Sequence, residues 1–174
     1  MKAALLLIFL LALGLAPVAF AEENSDTFPP ITKETRCPVC GMFVAKYPQW
    51  ITQVRLSDGS SEAFDGVKDM AAYVFAPEKF GARNGATVTD IRVKDYYSQK
   101  WIDGRQAFYV VGSKVHGPMG HELIPFDDRD GGENFLKDHG GTQILEFTEI
   151  TKDLIESLRK GHKMKGHTMK SGPQ

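Results

Sequence analysis

The sequence predicts an α+β fold made of two small ββαβ modules in tandem, a distant internal repeat, followed by a disordered C-terminal tail. Three observations carry this. The order strand, strand, helix, strand reads twice along the chain. A Phe-Asp pair, Phe64-Asp65 and then Phe126-Asp127, stands before each helix, and after residue 161 the apolar periodicity stops. The two halves are alike in element order more than in residues.

The first 21 residues stand outside this fold. Lys2 gives a positive start, 3–13 is wholly apolar, and Ala19-Phe20-Ala21 supplies the small residues of a signal-peptidase site ahead of the polar run 22–26. The chain is therefore expected to be exported to the periplasm with its leader cleaved. No cysteine lies near the cleavage point, so a mature N-terminus without lipid is expected. No later stretch reaches the ~20 apolar residues of a membrane helix, so no stable membrane insertion is expected after cleavage. Removing 21 residues from 174 leaves 153, enough for one ordinary domain or two small modules sharing a core. Only Lys2 leaves the charge count, so 20 basic side chains face 22 acidic ones. Nothing in that balance calls for a nucleic-acid or anionic-membrane partner.

Taken in order, 22–36 is polar, holds Pro29-Pro30, and reads as an extended lead-in. The first module, 37–100, begins with a strand over 50–56, where Ile51, Gln53 and Arg55 alternate with Thr52, Val54 and Leu56 to give one buried face. Asp58-Gly59 turns the chain into a second strand, 61–64. Asp65 is placed to cap a helix over 66–75, with Val67, Met70, Ala71 and Val74 on one stripe and Pro77 as its stop. A third strand, 87–93, follows Asn84-Gly85. The second module, 101–149, repeats this with a strand over 107–111, a glycine-rich turn over 112–120 and a returning strand over 122–126. Asp127 and Asp128 can cap a helix over 129–138, Gly140-Gly141 end it, and 142–147 is the last strand. An amphipathic helix over 150–160 carries Leu154, Ile155 and Leu158, and 161–174 reads as disordered.

The chemistry starts at Cys37-Pro38-Val39-Cys40-Gly41-Met42. These are the only two cysteines, and a pair this close suits metal or redox chemistry better than a structural cross-link of a long loop. Thiolate and thioether sulfurs are soft donors that select Cu(I), zinc or iron–sulfur centres. A redox dithiol is the other reading, but it usually sits at a helix N-terminus, and Gly41 with Pro48 leaves no good helix after Cys40. Structural zinc asks for about four ligands, and no second close pair supplies them. Met119, between Pro118 and Gly120, is poorly placed for core packing and well placed as a flexible thioether donor, with His116 and His121 flanking it. The tail sets His162, Met164, His167 and Met169 within eight residues, a pattern suited to loose collection of copper or silver ions, although its lysines oppose a cation.

These residues resemble the NosL family, the copper-binding accessory proteins of nitrous oxide reductase. The resemblance runs through Cys40-Gly41-Met42, Phe64-Asp65, Trp101-Ile102-Asp103-Gly104-Arg105, Ala107-Phe108-Tyr109-Val110-Val111-Gly112-Ser113, Gly117-Pro118-Met119-Gly120 and Gly140-Gly141, and covers about 37–150. It implies a pair of ββαβ modules, an envelope location, sulfur donors at Cys40, Met42 and Met119, and delivery of Cu(I) to a copper enzyme rather than catalysis. Family members are commonly acylated on an N-terminal cysteine, which this leader does not provide. Cys37 and the Met/His tail also lie outside the family's core pattern.

The reading that results is a periplasmic Cu(I) chaperone. Cys40, Met42 and Met119, with Cys37 as a further donor and His121 and His116 close by, hold the ion for a copper-receiving protein such as nitrous oxide reductase. The rival is a periplasmic thiol–disulfide oxidoreductase using Cys37 and Cys40, and a third reading is a Cys pair that merely pins a turn.

Overall fold

A computed structural model describes residues 28–161. Its first sheet is built by β1 (Thr52–Leu56), β2 (Ser61–Phe64), β3 (Val88–Lys94) and β4 (Trp101–Asp103), in the order β2-β1-β3-β4 with every pair antiparallel. Asp58 makes the hairpin turn by accepting hydrogen bonds from the Ser60 N–H and hydroxyl at 3.0 and 2.6 Å, and Gly59 takes the left-handed conformation the turn requires. β1 is buried on both faces rather than one. Its outer face is covered by the lead-in: Pro29 O accepts from Gln53 Nε2, and the guanidiniums of Arg55 and Arg92 lie over the Phe28 ring at 4.7 and 4.3 Å.

Helix α1 (Val67–Phe75) packs on this sheet, and every residue from Val67 to Tyr73 is buried, not a single stripe. A helix buries residues on every face only when it is covered on every side, and here the covering elements are β1, β2 and the last helix. A 3-10 turn, Pro77–Phe80, ends it where Pro77 sets the break.

The second sheet contains β5 (Phe108–Val111). A small hairpin of β6 (His116–Gly117) and β7 (Gly120–His121) then projects, and β8 (Ile124–Phe126) returns beside β5. Helix α2 (Arg129–His139) is capped by Asp128, whose carboxylate accepts from the Gly131 N–H at 2.7 Å. β9 (Gln143–Glu146) completes the order β8-β5-β9. In both sheets the first strand is therefore central, flanked by its hairpin partner and by the strand after the helix. Segment 101–103, read from the sequence with the second module, pairs with β3 and belongs to the first sheet.

Helix α3 (Lys152–Arg159), capped by Thr151, lays Leu154, Ile155 and Leu158 against α1. One apolar cluster runs from Val54, Phe64 and Met70 through Tyr109, Val111 and Leu123 to Leu158, so both sheets share it. A minor cluster, Val110, Ile124, Phe126 and Phe135, lies between the second sheet and α2, with Trp50 and Tyr96 of the first half packed against it. The leader 1–21 and the tail segment 162–174 lie outside the described residues.

A candidate metal centre

The Cys37–Met42 segment forms a closed knuckle. The Cys37 N–H donates to Met42 O at 2.9 Å, the Gly41 N–H donates to Cys37 O at 2.8 Å, and Arg36 pairs with Phe43 in an antiparallel bridge. Gly41 has φ +77, the left-handed conformation that lets the turn close without strain. Arg36 fastens it from outside, donating to Gly41 O at 2.8 Å with its guanidinium over the Phe43 ring. After the knuckle comes a short 3-10 turn, Val44–Lys46, and not an α-helix. Neither thiol sits at a helix N-terminus, where the dipole would lower its pKa.

What faces the thiols was not foreseen from the sequence. Donor atoms of Cys37, Cys40, Asp65 and Asp69 all lie within 4.8 Å of one another. The Cys40 thiol donates to Asp65 Oδ1 at 3.1 Å and the Cys37 thiol to Asp69 Oδ2 at 3.9 Å. Both cysteines are free thiols; Cys37 is only 1% exposed, while Cys40 is half-buried. Asp65 Oδ2 is buried and has no hydrogen-bond partner among the described residues, an orphan acceptor. Arg159, from the last turn of α3, reaches Asp69 Oδ1 at 3.7 Å. Burial drives the Cys37 thiol up to about 11 and the Cys40 thiol higher still, and it raises the Asp69 carboxyl as well. Both thiols are thus held in the S–H form at neutral pH, so a metal ion binding there would have to displace their protons.

Asp65 is not the helix cap that the sequence suggested. The N-cap of α1 is Gly66, with no capping side chain of its own. The duty falls to Glu122, from the other half of the chain, whose Oε1 accepts from the Lys68 N–H at 2.6 Å and from the Leu123 N–H at 3.0 Å. A Cβ on Gly66 would collide with Glu122 Oε2, so a side chain there would displace the capping carboxyl. Lys68, 2% exposed, sends its ammonium the other way, donating to Met119 O at 2.8 Å and His121 O at 2.9 Å. The hairpin that carries Met119 is thereby clamped to the residue next to Asp69. Of the donors read from sequence, Cys37 and Cys40 are brought together, and Met42 lies half-buried in the same knuckle. Met119 stands at the hairpin tip, 48% exposed. His116 and His121 face each other across that hairpin and, among the described residues, do not join the thiol cluster. His162, Met164, His167 and Met169 lie outside the described residues.

Burial pushes the Glu122 carboxyl up to about 8, against the lowering effect of Lys68. The folded chain then keeps a proton that the unfolded chain releases near the ordinary value of 4.5, so this contribution to stability is complete below 4.5 and is lost as pH rises through about 8. Thermal melts of chelator-treated protein from pH 5 to 9 should show this fall, and Glu122→Gln, which keeps the acceptor oxygen, should flatten it.

A model of the NosL family matches residues 28–155 of this chain. The copper-binding lipoprotein NosL of Stutzerimonas stutzeri is 29% identical over 161 residues, covering 87% of this chain and 81% of its own. The copper-binding lipoprotein NosL of Achromobacter cycloclastes is 31% identical over 137 residues, covering 72% and 68%. Among solved structures, the crystal structure of the copper chaperone NosL from Shewanella denitrificans is similar at a TM-score of 0.63 with 23% identity, over 73% of this chain and 97% of that one, which shows a common fold. The relatives also correct one expectation. Both are named lipoproteins, against the lipid-free N-terminus read from the sequence. That reading rested on the lack of a cysteine near residue 21, in a stretch outside the described residues, and it is withdrawn.

Proposed function

Since the chain belongs to the NosL family, we propose that it is a copper carrier and not an enzyme. It takes Cu(I) on Cys40, Met42 and Met119, with Cys37 as a further thiolate, and passes it to a copper-receiving protein, nitrous oxide reductase in the course of its maturation. The observation that carries this reading is the pair of protonated thiols set against two buried carboxylates with one oxygen unpartnered. Copper binding in the names of the relatives supports it.

The chemistry follows from donor softness. Cu(I) prefers thiolate and thioether sulfur to carboxylate oxygen, so the sulfurs ligate while Asp65 and Asp69 orient the thiols and offset the charge of the ion. Exit is by ligand exchange. A partner's donors approach from the side of half-buried Cys40 and exposed Met119, and Cys37, the most enclosed, lets go last. When copper leaves, Cys40 regains a proton and its S–H returns to Asp65 Oδ1. The tail donors His162, Met164, His167 and Met169 raise the local metal concentration in this scheme.

The oxidoreductase reading fares worse on two counts: no helix follows the Cys pair, and burial raises both thiols where a nucleophile needs a lowered pKa. A second reading does have a specific observation behind it. The objection to zinc was a shortage of ligands, and Asp65 and Asp69 remove it by completing a two-thiol, two-carboxylate set.

An anaerobic titration of the reduced protein with Cu(I) against a chromogenic chelator, with Zn(II) as competitor, separates these. One tight Cu(I) per chain is expected, and Met119→Ala should weaken it about tenfold or more. Binding that ignores Met119 would remove the thioether from the site, and Zn(II) outcompeting Cu(I) would give the cluster to zinc.

A further inference from the structure

The two histidines left out of the thiol cluster are placed together elsewhere. His116 and His121 are direct cross-strand partners in the β6–β7 hairpin, and their rings meet edge to face with centroids 4.7 Å apart. Opposed side chains on a two-stranded ribbon have Cβ atoms about 4.5–5.5 Å apart, a spacing from which two imidazoles can each reach one ion at about 2 Å. His116 is exposed, so its ring has room to turn from the edge-to-face contact into a chelating pose.

Such a chelate is strong only if its scaffold is already ordered. Here it is. Lys68 donates to both Met119 O and His121 O, and Gly117 backs so closely on Glu122 that a Cβ there would stand 3.1 Å from its Cγ. The turn between the histidines is Pro118-Met119, which leaves the exposed Met119 thioether beside them.

We propose that His116 and His121 form a second metal site, distinct from the thiol cluster, for a borderline divalent transition ion, with Cu(II) bound most strongly. Imidazole suits such ions, and the Irving–Williams order places Cu(II) above Ni(II) and Zn(II). The site stands whether or not the thiol cluster carries Cu(I), because it uses neither cysteine. It divides the molecule by donor type: sulfur for the reduced ion, on Cys40, Met42 and Met119, and imidazole nitrogen, on His116 and His121, for the oxidised one.

Ni(II) tests this without oxidising the thiols. In amide NMR spectra of the full chain, substoichiometric Ni(II) should broaden residues 116–121 first, saturably, and His116→Ala, an exposed position that leaves the fold intact, should weaken this about tenfold or more. Cys40→Ser should leave it unchanged, as should the pair His162→Ala and His167→Ala. Broadening centred on 37–40 and 65–69, broadening confined to 162–169, or indifference to His116→Ala would each overturn the proposal.

Discussion

Cys40→Ser is expected to weaken Cu(I) binding by well over 100-fold, beyond the roughly 10–100-fold that follows loss of a group merely orienting a ligand. The expectation rests on position. Cys40 is the thiol both exposed enough to meet an arriving ion and held by a carboxylate at 3.1 Å. A serine hydroxyl keeps the hydrogen bond to Asp65 but offers a hard oxygen where Cu(I) seeks sulfur. Asp65→Asn should fall in the roughly 10–100-fold range, because it frees the thiol without removing it. Competition against a Cu(I) chelator reads both. Cys40→Ser binding within tenfold of the parent would remove Cys40 from the ligand set.

Lys68→Met is the second large effect, and it is first an effect on stability. Methionine fills much of the same buried volume but takes away the ammonium that donates to the Met119 and His121 carbonyls. A hydrogen bond from a charged donor contributes about 1.5–3 kcal/mol, so losing both costs about 3–6 kcal/mol. For a domain of this size that lowers Tm by about 10 °C or more. Lys68→Arg should recover part of the loss. Calorimetry on the metal-free proteins checks the ranking parent, Lys68→Arg, Lys68→Met, and equal melting of the parent and Lys68→Met would mean the clamp contributes nothing to holding the halves together.

Much of the architecture was legible because it is written locally. Asp58-Gly59, Asp128 and Pro77 act through bonds within three residues, and each stands where its chemistry led one to expect it. The thiols were legible for the same reason, as a close pair in a glycine-closed turn. The rest of the centre was not. Asp65 looks like a cap when only its neighbours are considered, and its real partner is 25 residues away. Asp69 has no local signal at all: it lies in the first turn of α1, four residues after Asp65. Lys68 and Glu122 were missed because a lysine and a glutamate are seldom buried unless paired, and their pairing spans the two modules. The same applies to β4, whose place depends on which sheet edge is open, and to Phe28 and Pro29, which cover a strand face that alternation marked as exposed.

The two helix starts can be set side by side. Phe64-Asp65-Gly66-Val67 corresponds to Phe126-Asp127-Asp128-Arg129, with Gly66 and Asp128 at the N-caps. The second helix start has an acid at its own N-cap, whereas the first has a glycine there and takes its cap from Glu122 across the interface. In engineering terms the two halves are not interchangeable parts. Cut out alone, the first half would begin α1 with no side chain to accept its leading N–H groups, whereas the second carries Asp128 with it.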